Sequence, residues 1–322
     1  MKILITGASG FLGSNLTQLL LDSGHSIIGL DNLSYGELNN IAKFKNHPNY
    51  TFIHGDVLNY YNYNMLHVDV IVHLASQKIP RYDNSLRTID ENELMTRLIV
   101  RKCLADNIKL VFASTSDVYG KNPNVPFSEN SDCVLGTSKV KRWAYAASKI
   151  HSEHFIIANG EANQLKYSIM RFFGSYGEHQ NLTWWGGPQS VFIDKALKNE
   201  AIDIHGDGSQ TRTFTYVKDT IQGIKLCIEK DEANGEIFNI ASDSSNEISI
   251  LELGNLIWQK IRGGDSTPKI NLVPYASFGN YEDVMRRVPD IGKIKNQLNF
   301  QPKYSLSEGL DMTIEWQKNI SK

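Results

Sequence analysis

The sequence predicts an α/β fold: a doubly wound parallel sheet with a smaller lobe built from C-terminal segments. Three observations carry that expectation. Short apolar runs alternate with amphipathic stretches through the first half, the pattern of strands joined by covering helices. The first run leads straight into a glycine-rich turn and a helix. After Arg171 the alternation lapses, and loops, helices and short strands follow without regular order.

The elements are expected in this order. Residues 2–6 read as a buried strand and 11–23 as a helix. Strands follow at 26–30 and 50–54, then at 68–75 (VDVIVHLA) and 109–114 (KLVFAS). Helices fit at 90–106 and 142–159, and LKYSIMR at 165–171 supplies a sixth strand. The main unit then spans 1–173, with 214–245 returning to it through a strand at 214–217 and a helix from Asp219. Residues 174–322 mainly form the second lobe, opening with a Gly- and Trp-containing loop at 174–188.

Composition narrows the class. Of 322 residues 41% are hydrophobic and 21% charged, which suits a globular chain with a sizeable core. A net charge of −2 implies no general surface for nucleic acid. Cys103, Cys133 and Cys227 lie far apart and form no CxxC, which fits a reducing, cytoplasmic setting. The start MKILITGASG reads as strand and turn, not as a signal peptide. No run reaches the roughly 20 apolar residues that span a bilayer, so no membrane partner is expected.

The first chemical motif is Gly7-Ala8-Ser9-Gly10-Phe11-Leu12-Gly13, between strand and helix. One glycine makes the tight turn, one admits a pyrophosphate to the backbone, and one lets helix and strand pack closely. The helix N-terminus then offers free N–H groups to phosphate. This is the layout of a Rossmann-type dinucleotide site. Asp31 ends the second strand, where a carboxylate accepts both adenine ribose hydroxyls and repels a 2′-phosphate. With Asn32 beside it and no cation, the cofactor is NAD rather than NADP. Asp31 could instead cap its turn. Asp56, in His54-Gly55-Asp56-Val57, could meet the adenine amino group or cap a turn. His73-Leu74-Ala75-Ser76 ends the fourth strand; His73 reads as a satisfied, half-buried histidine, and Lys78 could reach a ribose or a phosphate.

The second motif is Tyr145-Ala146-Ala147-Ser148-Lys149. Positions i and i+4 share a helix face. An ammonium near the phenol would favour phenolate and make Tyr145 a usable base. The alternative is an ordinary exposed pair. Ser114-Thr115-Ser116-Asp117-Val118-Tyr119-Gly120 ends the fifth strand, where open sheets present residues to a ligand crevice. A hydroxyl there can bond the oxygen that Tyr145 deprotonates; helix capping is the other reading.

Together these motifs resemble the extended short-chain dehydrogenase/reductase superfamily, in its NAD-dependent nucleotide-sugar epimerase/dehydratase branch. The resemblance covers essentially the whole chain. It implies a Rossmann-type doubly wound parallel sheet with a smaller C-terminal substrate-binding lobe. It implies transient C4 oxidation of a nucleotide-diphosphate sugar (UDP, dTDP, GDP or CDP) to a 4-keto intermediate, on a homodimer and without metal. Tyr145 would be the base, Lys149 its tuner and ribose anchor, and Thr115 the catalytic hydroxyl. Asp117 would be a second acid/base or a capping carboxylate. STSDVYG is close to the STSEVYG form of UDP-glucuronate decarboxylases, which keeps decarboxylation open beside epimerisation and dehydration. A net reductase and a non-catalytic NAD(H)-binding protein are the remaining alternatives.

Cofactor contacts are implied at Gly7, Gly10, Phe11, Leu12, Gly13, Asp31, Asn32, Asp56, Val57, Leu74, Ala75, Ser76, Lys78, Asn92 and Ser114, beside Tyr145 and Lys149. Asn92 would brace the crevice. Substrate contacts are implied at Ser116, Gly174, Arg212 and Arg287. Arg212 lies in GDGSQTRTFTYVKD and Arg287 in RRVPD, with Arg286 the second choice; a forked guanidinium suits a diphosphate. One departure stands out: Arg171-Phe172-Phe173-Gly174-Ser175-Tyr176-Gly177-Glu178 carries Gly174 for the usual asparagine and Glu178 for the usual proline. Trp184-Trp185 in the next loop could stack on a sugar or base, or pack the lobe. His151 and His154 could pair on a metal, but no further ligands accompany them.

Overall fold

The computed structural model describes residues 1–78, 84–184, 186–279 and 281–320. Six strands occupy the first half: β1 (Lys2–Thr6), β2 (Ser26–Asp31), β3 (Tyr50–His54), β4 (Val70–His73), β5 (Lys109–Thr115) and β6 (Tyr167–Phe172). Three helices accompany them: α1 (Phe11–Asp22), α2 (Ser85–Asp106) and α3 (Trp143–Asn163). The remainder holds β7 (Ser175–Tyr176), α4 (Pro188–Leu197), β8 (Ile202–His205), β9 (Thr211–Thr213), β10 (Thr215–Tyr216), α5 (Val217–Glu229) and β11 (Glu236–Ile240). It ends with β12 (Glu247–Ser249), α6 (Ile250–Arg262), β13 (Ile270–Val273), β14 (Arg286–Arg287), α7 (Gly292–Leu298) and α8 (Leu306–Ile320).

The main sheet has the order β11-β6-β5-β4-β1-β2-β3, parallel throughout. The order reverses between β1 and β4, which opens a crevice at the strand C-termini. Both faces of such a sheet are buried, so its strands read as near-continuous apolar runs. The central positions of β1, β4 and β5 are fully enclosed. Leu16 and Leu20 of α1 are also fully buried, each worth roughly 2 kcal/mol of transfer free energy.

Two expectations need correction. The 214–217 strand does not join the main sheet: β10 is two residues long and pairs with β7 in a separate ribbon. Gly174, at φ +49°, turns the chain out of the sheet directly after β6, so β7 and β10 meet beyond its edge. The segment that returns is β11, paired along β6 from Glu236↔Ser168 to Ile240↔Phe172. The fourth strand is also shorter than 68–75, because the chain leaves the sheet after His73 and carries Leu74 to Ser76 into the crevice.

The smaller elements form a three-stranded sheet, β12-β9-β14, and a pair, β13-β8. They do not stand apart. One apolar cluster joins Ile3 and Val72 of the main sheet to Phe192 of α4, Leu253 of α6 and Leu310 of α8. No helix among the described residues is long and apolar enough to cross a membrane. Cys103 and Cys227 are buried thiols, and Cys133 is exposed.

Candidate active site

Two cavities meet at Tyr145. The larger, about 1150 Å³, runs from the first glycine turn across the crevice to Tyr145 and Lys149. The smaller, about 380 Å³, lies between Tyr145 and the C-terminal elements. Lys78, Thr115 and Tyr145 line both.

The larger cavity fits a dinucleotide. Gly7 has φ +72°, and its N–H donates to Leu30 O at 2.9 Å, folding the turn onto β2. A Cβ on Gly7 would come within 3.0 Å of Ala75 N. One on Gly13 would sit 2.1 Å from Gly7 O, so only glycine lets α1 start this close to β1. Gly10, the N-cap of α1, has no side chain to cap the helix, so the first N–H groups are left for a phosphate. Gly10, Phe11 and Leu12 line this end of the cavity, with Leu74 and Ala75 opposite.

At the adenosine end, Asp31 is buried. Its Oδ2 accepts Ser9 N–H and its Oδ1 accepts Leu33 N–H, both at 2.8 Å. Burial raises its pKa, against the pull of those backbone bonds. Asn32 Nδ2 donates to Asp56 Oδ2 at 2.8 Å, and Asp56 Oδ1 caps Leu58 N–H. Asp31 and Asp56 thus shape their own turns and line the cavity as well; Asn32 and Val57 line it beside them. His73 is fully rather than half buried. Its Nδ1 bonds Thr6 Oγ1 at 2.8 Å, and burial followed by the charge of Lys149 depresses its pKa to about 3. Asn92 is a brace: Oδ1 accepts from Gln77 N and Ser76 Oγ, while Nδ2 donates to Gln77 O and Ser148 Oγ. It ties the loop after β4 to α2 and α3.

At the reactive end, α3 carries both Tyr145 and Lys149. Burial and then the charge of Asp117 push the Tyr145 phenol well above its usual value, while hydrogen bonds with Ser76 and Thr115 pull the other way. Lys149 Nζ donates to Ala113 O at 2.8 Å and lies 6.0 Å from the centre of the Tyr145 ring. Burial lowers its pKa to about 7. The expected lowering of the phenol by Lys149 is not what the structure has: burial and Asp117 raise it, and the groups that oppose them are the hydroxyls of Ser76 and Thr115. Ser114 lines the larger cavity, but its hydroxyl turns inward and donates to Glu153 Oε1. Ser116 Oγ, buried, is 3.5 Å from Arg287 Nη1.

The smaller cavity is dominated by charge. Asp117 Oδ1 lies 2.5 Å from Arg287 Nη2 and 3.4 Å from Arg142 Nη2. Burial alone would raise the Asp117 pKa, but Arg287, Arg142 and Arg212 outweigh it and hold the acid below its usual value. Asp283 Oδ1 accepts from both Arg142 and Arg212 at 2.9 Å and its Oδ2 from Tyr275 OH at 2.9 Å. These partners overcome burial and set it at about 2. Three guanidiniums against two carboxylates leave one guanidinium in excess, and Lys78 adds a further cationic side chain at the edge shared with the larger cavity. Gln210 and Thr213 line the same space, and Gln210 Oε1 and Thr213 Oγ1 are buried without a hydrogen-bond partner among the described residues. Arg286 faces away, paired with Glu247 at 2.7 and 2.8 Å.

The departures have structural consequences. Gly174 lines the smaller cavity, where a Cβ would press on Phe214 and Thr213 O. Glu178 accepts from Tyr216 OH at 2.6 and 2.8 Å, pinning the loop that a proline would otherwise stiffen. Trp184 lines the smaller cavity and packs on His205, ring centres 4.6 Å apart; Trp185 lies outside the described residues. His151 stacks on Phe155, not on His154. Sequence reasoning missed Arg142 and Asp283. Arg142 was accessible, since it lies one helical turn ahead of Tyr145 on the same face. Asp283 comes from an irregular loop with no periodic signal.

The profile of the NAD dependent epimerase/dehydratase family matches residues 3–241. This chain belongs to that family. It is 34% identical to a UDP-N-acetyl-alpha-D-glucosaminuronate decarboxylase of Bacillus cytotoxicus, over 99% of this chain and 98% of that one. It is 31% identical to UDP-glucuronic acid decarboxylase 1 of Danio rerio, over 98% of this chain and 72% of that one. A solved UDP-glucuronic acid 4-epimerase from Bacillus cereus, in complex with UDP-glucuronic acid and NAD, superposes with TM-score 0.87 at 27% identity, covering 99% of this chain and all of that one. The chain is thus an NAD-dependent enzyme of the epimerase/dehydratase type.

Proposed function

We propose that this family member oxidises a UDP-linked hexuronic acid at C4 and that the 4-keto acid then loses carbon dioxide. The observation that carries the reading is Asp117, kept ionised beside Tyr145 by Arg287 and Arg142. A dehydratase needs an acid to protonate a departing hydroxyl, and a carboxylate held this firmly in its charged form has no proton to give. A cavity with an excess guanidinium instead suits a sugar bearing its own carboxylate. Two of the relatives are decarboxylases of such sugars.

Bound NAD would accept hydride from C4 and return it after carbon–carbon cleavage, so the cycle is redox-neutral. Gly7 to Gly13 and Asp31 would hold it, with Lys149 at the nicotinamide end and Asn92 bracing the loop beside it from behind. With the positive charge of bound NAD favouring phenolate against the burial that opposes it, Tyr145 Oη would take the C4 hydroxyl proton, with Thr115 Oγ1 bonding the same oxygen. Loss of the C6 carboxylate breaks the C5–C6 bond and leaves an enolate between C5 and the C4 oxygen. C5 takes a proton from solvent, and Tyr145 returns its own to the C4 oxygen when hydride comes back. Arg212 and Arg287 would hold the diphosphate, and Gln210 Oε1 would accept from a donor on the nucleotide. We further propose that the enzyme works as a homodimer in the cytoplasm.

The test is mass spectrometry of UDP-glucuronate and UDP-N-acetylglucosaminuronate after incubation with the purified protein. The expected product has lost carbon dioxide. An isomer of unchanged mass means epimerisation, and loss of water means dehydration; either result rejects decarboxylation.

A further inference from the structure

The mechanism leaves one buried acid unused. Glu153 lies one helical turn beyond Lys149 on α3, only 4% exposed. Its Oε2 pairs with Arg171 Nη2 at 2.6 Å and its Oε1 with Arg171 Nε at 3.0 Å, while Ser114 Oγ donates to Oε1. Arg171 continues to Tyr119 OH at 3.0 Å, and Tyr119 to Asn239 Oδ1 at 2.7 Å. One polar chain therefore links α3, β5, β6 and β11 beneath the reactive groups. Ser114 sits between Ala113, whose carbonyl takes the Lys149 proton donor, and Thr115, which bonds Tyr145.

We infer that Glu153 is a positioning residue for the Tyr145–Lys149 pair, clamping the end of β5 so that Ala113 O and Thr115 meet their partners on α3. The clamp has an electrical side. Burial depresses Lys149, and Glu153 is the neighbour that opposes this by favouring the ammonium. His73, across β4, acts on Lys149 from the other side but is itself neutral. Arg171, Tyr119 and Cys133 are the remaining titratable groups that sense Glu153.

The test titrates Lys149 directly by NMR in NAD-bound protein carrying [ε-¹³C]lysine, with Lys149→Met to identify its signal. Glu153→Gln keeps the shape and removes the charge; its Lys149 midpoint should move to lower pH. Glu153→Asp should keep the midpoint near that of the wild type. Should Glu153→Gln not fold, Glu153→Gln/Arg171→Met removes both charges together, avoids a stranded guanidinium, and should move the midpoint the same way. A midpoint unchanged in the charge-free variant overturns the inference. So does an equal movement in Glu153→Asp, which would mark packing rather than charge. None of these readouts requires a sugar substrate.

Discussion

Asp117 and Lys149 are both ionisable groups that burial penalises, and each invites a direct measurement. Asp117 is ionised because three guanidiniums outweigh its burial. Asp117→Asn keeps the shape but removes the charge that organises Arg287 and Arg142. Turnover of UDP-glucuronate should fall about 100-fold, the scale for misplacing groups that orient a substrate, with KM changed less than about threefold. An unchanged kcat would strip Asp117 of any role in the reaction. Lys149 is held at about 7 against 10.5 for an ordinary lysine. Between those values the unfolded chain binds a proton that the folded chain does not, so this group adds stability as pH rises through the window. Below about 7 the buried ammonium is a net cost. Lys149→Met should therefore be more stable than wild type near pH 6, and urea unfolding of cofactor-free protein should show the gap narrowing towards pH 10. A gap independent of pH would contradict the burial argument. That Tyr145 and Lys149 share a helix face was legible from their spacing, and Arg142 was legible by the same rule, but the lowering of the phenol expected from the lysine was not borne out. The hydrogen bonds of Ser76 and Thr115 to the phenol were not, because they depend on how the ends of β4 and β5 converge on α3.

The first turn of α1 shows how far local sequence dictates an element. Its three glycines each answer a separate constraint, and the tightest is Gly13, where an added Cβ would stand 2.1 Å from Gly7 O. That neighbour is backbone and cannot swing aside. Gly13→Ala should push α1 away from β1, costing roughly 1–3 kcal/mol as an overpacking change, and should weaken NAD binding. Gly264→Ala, with no atom within 4 Å of the new methyl, is the control and should stay within about 0.5 kcal/mol of wild type. Thermal melts with and without NAD measure both effects; a Gly13 variant that melts and binds like wild type would refute the close-packing account. Strands β1 and β2 were readable almost to the residue, because parallel strands covered on both faces are near-continuously apolar and end at turn signals. The 214–217 segment misled for the opposite reason. Two residues of strand character carry no information about which edge they will pair with, and the turn at Gly174 decides it.

Across the molecule, ion pairs span the cleft in addition to the apolar core that the two sides share. Asp117 belongs to the end of β5, while Arg287 comes from β14, which pairs with β9 so that Arg287 stands opposite Arg212. The register puts both arginines on one side of the smaller cavity and fixes them through backbone bonds. It also sends Arg286, the next residue, to the opposite face, where Glu247 holds it in solvent. Sequence alone ranked Arg287 above Arg286 by family resemblance; alternation along a strand is the physical reason. A diphosphate entering the smaller cavity should gain charge-assisted bonds from Arg287 and Arg212 and so bind the folded state selectively. UDP at about 100 times its Kd then adds about 2.7 kcal/mol of stability, several degrees in the melting temperature of the NAD-bound enzyme. Arg287→Met should abolish most of that increment, whereas Arg286→Met, which loses only an exposed ion pair, should keep it. Equal responses in the two variants would mean that the diphosphate does not lie where the register of β14 and β9 directs it.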